Sequence, residues 1–144
     1  MNLERSLLVV ALLAVTGCTS SKLEGAADWQ NALLSQQVEV QWGASGTKYI
    51  ELSPWTPVTG EDQAALRKLF ATPVLEGALK CIVHIDGKLR AGDTEVRVCL
   101  GCGELFTGTK QYVFGPRHEL RQLMTKVLGP RPREPSEAEL FPGL

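Results

Sequence analysis

The stretch Leu79-Lys80-Cys81-Ile82-Val83-His84-Ile85-Asp86-Gly87 (LKCIVHIDG) governs how the whole chain reads. Leu79, Cys81, Val83 and Ile85 alternate with Lys80, Ile82, His84 and Asp86, which predicts a strand over Leu79 to Asp86. Asp86-Gly87 is a hairpin-turn dipeptide, and Gly92-Asp93 is a second punctuation point soon after. Thr94 to Leu100 (TEVRVCL) alternates again, with Val96, Val98 and Leu100 on one face and Arg97 and Cys99 on the other. The expectation is a strand hairpin carrying cysteines on both arms.

Upstream, Val38, Val40 and Trp42 share one face of a half-buried strand. Gly43 to Gly46 is a turn, and Thr47 to Leu52 (TKYIEL) reads as the returning strand. Pro54-Trp55-Thr56-Pro57 cannot continue a ladder. A helix is predicted from Thr59, whose side chain would accept from the Asp62 N–H, to Thr72-Pro73. Its apolar stripe is Ala65, Leu66, Leu69 and Phe70. Downstream, Lys110 to Phe114 reads as a further strand. Gly115-Pro116 opens a helix with the stripe Leu120, Leu123, Met124 and Val127, and Gly129-Pro130 closes it. Asp28 to Gln37 is a short helix with Trp29, Leu33 and Leu34 on one side. These elements predict an α+β fold: an antiparallel sheet of four to five strands with two amphipathic helices on one face.

The N-terminus has a different character. Leu7 to Val15 (LLVVALLAV) is an apolar run of about nine residues, far short of the roughly 20 that span a membrane. Its length suits the core of a signal peptide. Val15-Thr16-Gly17-Cys18 then resembles the lipobox of bacterial lipoproteins. That resemblance implies cleavage before Cys18 and acylation of its thiol and new amine. Several acyl chains hold a protein firmly, at about 0.8 kcal/mol per buried CH₂. Thr19, rather than an aspartate, follows the cysteine, which resembles the outer-membrane sorting pattern of enteric bacteria. The expected organisation is a signal peptide over 1–17, a lipidated tether over 18–28, one α+β domain over 29–129, and a disordered proline-rich tail over 130–144.

With 15 Lys and Arg against 16 Asp and Glu, the 144-residue chain has a formal net charge of −1. That balance provides no broad basic field for nucleic acid. No phosphate-binding loop, dinucleotide fingerprint or HExxH is present. His84 and His118 lack a partnered nucleophile or acid in any recognisable motif, and read as surface residues.

Cys81, Cys99 and Cys102 remain after the lipidated cysteine, an odd number for an oxidising compartment. One reading is a disulfide, with Cys81–Cys99, Cys81–Cys102 and Cys99–Cys102 all open. A second is zinc: Cys99-Leu100-Gly101-Cys102-Gly103 resembles a zinc knuckle. Cys81 with His118 or His84 would complete four ligands, His84 suffers because residues i and i+3 of a straight strand point apart, and three cysteines plus a water are the other option. A third is thiol redox chemistry by the Cys99/Cys102 pair, although this CxxC ends a strand rather than opening a helix. Cys81, His84, Gly87-Lys88 and Cys99 to Cys102 together resemble a group of small bacterial proteins without an assigned activity. That resemblance implies only that the three cysteines form one unit. Trp55, in its proline-flanked loop, is a candidate for partner binding.

The resulting expectation is a non-enzymatic, lipid-anchored accessory or interaction module. It would sit at the outer membrane, face the periplasm, bind an envelope protein, and need no cofactor. The alternatives are a zinc-binding or thiol-redox envelope protein, and an envelope enzyme inhibitor or immunity protein.

Overall fold

A computed structural model describes residue 23 and residues 25–45 and 48–143. The expected signal peptide and Cys18 lie outside these residues. Alternating sequence builds one antiparallel sheet whose strands, in chain order, are β1 (Val38–Ser45), β2 (Tyr49–Glu51), β3 (Thr56–Pro57), β4 (Leu75–Glu76), β5 (Gly87–Ala91), β6 (Thr94–Cys99), β7 (Glu104–Thr107) and β8 (Lys110–Val113). The strands lie in the order β2-β1-β5-β6-β7-β8-β4, with β3 also pairing β1. The helices are α1 (Asp28–Ser35), α2 (Gly60–Leu69), α3 (Arg117–Leu128) and α4 (Glu137–Leu140). Among the described residues the sheet therefore has eight strands rather than four or five, and there are four helices rather than two.

The register puts Val40 beside Leu89, Leu89 beside Val96, Val98 beside Leu105 and Leu105 beside Tyr112. Cross-strand partners share a face, so these side chains form one apolar surface. Against it pack Trp29 and Leu33 of α1, Leu66 of α2 with Phe70 just beyond it, and Leu120, Leu123 and Met124 of α3, all buried in a single cluster. Three helices thus cover the first face. Phe70 stacks on Phe114 with ring centroids 4.9 Å apart and meets Trp29 edge-on at 6.1 Å.

The principal departure is at LKCIVHID. Leu79 to Asp86 forms no strand, and Asp86-Gly87 is no turn. The hairpin instead turns at Gly92-Asp93, between the paired residues Ala91 and Thr94. Gly92 has φ +57°, and among the described residues no non-glycine residue has a positive φ, the pattern of a II′ turn. Two turn dipeptides competed for one hairpin. The later one won because it sets Leu89 and Ala91 of the short GKLRA strand on the core face, between β1 and β6. Gly87 then lies opposite Trp42 and close under α3. A Cβ at Gly87 would collide with the Gln41 carbonyl oxygen and stand 2.9 Å from Met124 Cε. Gly87→Ala is therefore expected to cost about 1–3 kcal/mol in a denaturant titration, despite adding only a methyl group.

Smaller departures have local causes. Thr56–Pro57 does pair with β1, because a two-residue edge strand tolerates a proline that lacks an N–H. Thr59 precedes α2, but its carbonyl, not its side chain, accepts from Asp62 N–H at 3.2 Å. β7 escapes the alternation rule because Glu104, Leu105 and Phe106 are all buried. The tail is partly ordered: α4 opens with a capping box between Ser136 and Glu139. The hydrogen bond from Arg133, followed by those from Ser136, holds the Glu139 carboxyl down to about 2.

Candidate functional site: a disulfide-closed strap

The second face of the sheet carries Glu39, Gln41, Lys88, Arg90, Arg97, Cys99, Glu104 and Phe106, as the register requires. Part of it is polar. Arg90 donates to Glu39 Oε2 from Nε at 2.9 Å and from Nη2 at 2.7 Å, and its guanidinium covers the Trp55 ring at 4.2 Å. Trp55 is therefore half-buried beneath a cation rather than presented freely. Lys88 lies 4.0 Å over the Tyr49 ring and 2.6 Å from Glu95. Burial, with Glu51 and Glu95 adding to it, pushes the Tyr49 hydroxyl well above the usual phenol range.

The rest of this face is covered by the chain itself. Residues 77–86 cross it as a strap between β4 and β5. Gly77 N–H donates to the Gln111 carbonyl at 2.9 Å, and Leu79 N–H donates to Glu104 Oε1. Ile85 N–H donates to Ser45 Oγ at 3.0 Å, and Asp86 N–H to the Val98 carbonyl at 2.8 Å. The Asp86 carboxylate accepts the Leu100 N–H at 2.7 Å, tying the strap to the end of β6. A disulfide joins Cys81 to Cys102, with Cα atoms 6.5 Å apart. Beneath the strap, Ile85, Cys99 and Phe106 form a second apolar cluster against which Val83, Cys102 and Tyr49 pack.

The turn bearing Cys102 is set by glycine. Gly103 has φ +77°, and a Cβ there would stand 2.8 Å from the Phe114 carbonyl oxygen. Its N–H donates to the Cys99 carbonyl at 2.9 Å, and Arg117 of α3 donates to the Gly101 carbonyl. This closes the segment from Cys99 to Glu104, with Cys102 inside it, into a tight bend whose two ends are cross-strand partners.

Of the residues singled out from sequence, the structure thus brings Cys81, Cys99 and Cys102 together. It does not bring the histidines to them as a ligand set. His84 is exposed on the strap, and His118 is exposed on the first turn of α3. Among the described residues no group of three or more His, Cys, Asp or Glu side chains is placed to hold a metal ion. Cys81 and Cys102 spend their sulfurs on each other, so a knuckle of three cysteines would require a reduced chain with a rearranged strap.

Two features of this site escaped the reading of the sequence. Glu104 is a carboxylate only 1% exposed, and its Oε2 has no hydrogen-bond partner. A glutamate in a short apolar run after CxxCG was the only available signal. The other is the apolar exterior of the strap: Ile82 is 80% exposed and Leu79 44%, with Leu75 of neighbouring β4 at 76%. An alternating pattern that predicts a strand hides a segment that turns Leu79 and Ile82 outward while Val83 and Ile85 pack inward.

Elsewhere, a depression of about 590 Å³ between α1 and α2 is lined by Leu34, Ala64, Ala65, Arg67, Lys68 and Ala71. Its lining is apolar and cationic and offers no carboxylate, histidine, hydroxyl or thiol. Among the described residues no helix is long and apolar enough to cross a membrane. No family model, curated protein or solved structure matches the chain.

Proposed function

We propose that this chain is a non-enzymatic interaction module of the bacterial cell envelope. Lipid on Cys18 holds it to a membrane, in the outer membrane facing the periplasm. The surface it offers a partner protein is the disulfide-closed strap. One observation carries this reading: Ile82, beside the disulfide half-cystine Cys81, is 80% exposed while the backbone on either side is tied down. A large aliphatic side chain held outward on an ordered segment loses little further freedom on binding, which is how preorganised loops gain affinity. Flanking Lys80 and His84 supply a polar rim to an apolar centre, the usual anatomy of a protein interface. The disulfide suits an oxidising compartment, which the lipobox resemblance also implies. The lipid anchor confines encounters to a surface and raises effective concentration, so a modest interface suffices.

An inhibitor or immunity protein is the second reading, and the same protruding, covalently closed loop supports it. Both readings place the binding energy on Ile82 and Leu79.

The test uses a photo-crosslinking residue at position 79 in cells, with position 68 on α2 as control. The expected result is one discrete adduct from position 79 and none of that mass from position 68. Ile82→Asp is expected to reduce this adduct at least tenfold while changing stability by no more than about 0.5 kcal/mol, as exposed sites do. Adducts at position 79 that match the control, or that survive Ile82→Asp unchanged, would sink the proposal. Metabolic labelling with a fatty acid, lost in Cys18→Ser, checks the anchor separately.

A further inference from the structure

The third cysteine has no place in a structural disulfide, yet the fold sets it against one. Cys99 is a free thiol, 2% exposed, in the small apolar cluster beneath the strap. Cys102, already bonded to Cys81, packs against that same cluster. Cys99 and Cys102 are also the two ends of a CxxC bend tightened by the Gly103 N–H to Cys99 carbonyl hydrogen bond. A second, independent feature points at the same spot. Glu104 is the cross-strand partner of Cys99 on the same face, where paired Cβ atoms lie about 4.5–5.5 Å apart. One of its oxygens holds the strap through Leu79 N–H, and the other, Oε2, is buried without a partner. A buried carboxylate oxygen left unsatisfied is costly, and the thiol of its cross-strand partner is a proton donor.

We infer that Cys99, Cys102 and Cys81 form an internal thiol–disulfide exchange unit that releases the strap. Glu104 Oε2 takes the proton from the Cys99 thiol. The Cys99 sulfur attacks the Cys102 sulfur, the Cys99–Cys102 bond forms, and the Cys81–Cys102 bond breaks. Cys81 leaves as a thiolate and takes up the proton. One thiol and one disulfide are present before and after, so the step needs no oxidant and no reductant. Its consequence is asymmetric. The disulfide moves from a link that closes 77–86 over the sheet to a local link inside one bend. The free thiol moves from a buried position to Cys81, which is exposed. The strap then keeps its hydrogen bonds but loses its covalent closure. This inference does not depend on what the strap binds.

The two disulfide isomers differ in which cysteine an alkylating reagent reaches. The full chain, purified without reductant, is held folded at pH 8 with N-ethylmaleimide, quenched in acid and mapped by peptide mass spectrometry, with Cys18 scored separately. The expected product carries the label on Cys81 together with a Cys99–Cys102 disulfide. Cys99→Ser is expected to lower labelling of Cys81 at least tenfold, and Cys99→Ala to do the same should the serine variant fold poorly. Glu104→Gln keeps an acceptor for Leu79 N–H but removes the proton acceptor, and is expected to slow labelling tenfold or more. Label on Cys99 with the Cys81–Cys102 bond intact, no label on any of the three, or no disulfide in the purified chain would each overturn the exchange. A Glu104→Gln rate equal to that of the parent chain would remove Glu104 from the step. Loss of the position 79 adduct leaves this mapping unchanged, so the binding proposal and the exchange fail separately.

Discussion

Trp42→Ala is expected to lower the unfolding free energy by about 3–5 kcal/mol, the usual cost of truncating a buried large aromatic. Trp42 is 1% exposed and sits on β1, opposite Gly87 of β5. Its indole is buried in the apolar cluster that joins the sheet to the helices, Met124 of α3 among its members. The substitution therefore opens a cavity between sheet and helix that small neighbours cannot fill. It also removes a specific tie. Trp42 Nε1 donates at 3.0 Å to the carbonyl of Gly129, the residue that caps the end of α3 with φ +81°. Small domains have a total stability of about 5–15 kcal/mol, so a loss of this size leaves a marginal fold. Urea denaturation followed by circular dichroism provides the check. A loss under about 1.5 kcal/mol would show that the indole does not hold the sheet to α3. Gly87 and Trp42 are contacting partners, so their substitutions should not add.

The second large effect concerns the disulfide. Removing it, by reduction or by Cys81→Ser with Cys102→Ser, is expected to cost about 3 kcal/mol. The two cysteines are 21 residues apart, and closing a loop of that length restricts the unfolded chain by roughly this amount. The loss should be spatially uneven. The first face of the sheet keeps its three helices, whereas the strap has only its hydrogen bonds and the small cluster around Ile85, Cys99 and Phe106. Amide hydrogen exchange is the informative measurement. Leu79 N–H, held by Glu104, and Ile85 N–H, held by Ser45, should exchange much faster without the disulfide. Val40, Leu89 and Val98 should keep their rank as the slowest. Uniform acceleration across the sheet would instead mean that the disulfide supports the whole domain. In the double serine variant a reductant should have no further effect on stability.

These two experiments address the two faces of one sheet, and the faces differ in how they are built. The helix-bearing face follows from strong periodic signals. Leu120, Leu123 and Met124 of α3, Leu66 of α2 and Phe70 just beyond it are buried as their spacing requires, with Leu69 and Val127 half-buried at the margin and Ala65 of the expected α2 stripe exposed. Val38, Val40 and Trp42 likewise face the core, and Val96 and Val98 do so from β6. Lys110–Val113 is a strand, and Gly129 ends α3. In each case a run of chain buries its apolar side against one continuous layer, and local pattern suffices to predict it.

The other face was not legible in this way. An alternating segment such as LKCIVHID satisfies strand periodicity, but periodicity does not say whether a hydrogen-bonding partner is free. β6 has two sides, taken by β5 and β7, and β5 was claimed by the GKLRA stretch with its own turn at Gly92-Asp93. Leu79 to Asp86 was left without a ladder and became the cover of the second face. The pairing of Cys81 with Cys102 follows from that displacement, because the path of the strap and not spacing decides which cysteine Cys81 meets and leaves Cys99 buried beneath it. The same holds for Glu104, whose burial depends on the strap above it.

By itself, then, the sequence determined the mixed α and β composition, the antiparallel sheet, the helix faces and the grouping of three cysteines. It also supplied the lipobox-like N-terminus on which the proposed location rests. Only the tertiary structure decided which hairpin forms, which cysteines bond, and which apolar residues remain outside. The physical reason is that burial patterns are written locally along the chain. Strand partnership is instead a competition among distant segments for a limited number of edges, and its outcome is set by close approaches such as that of Met124 to Gly87.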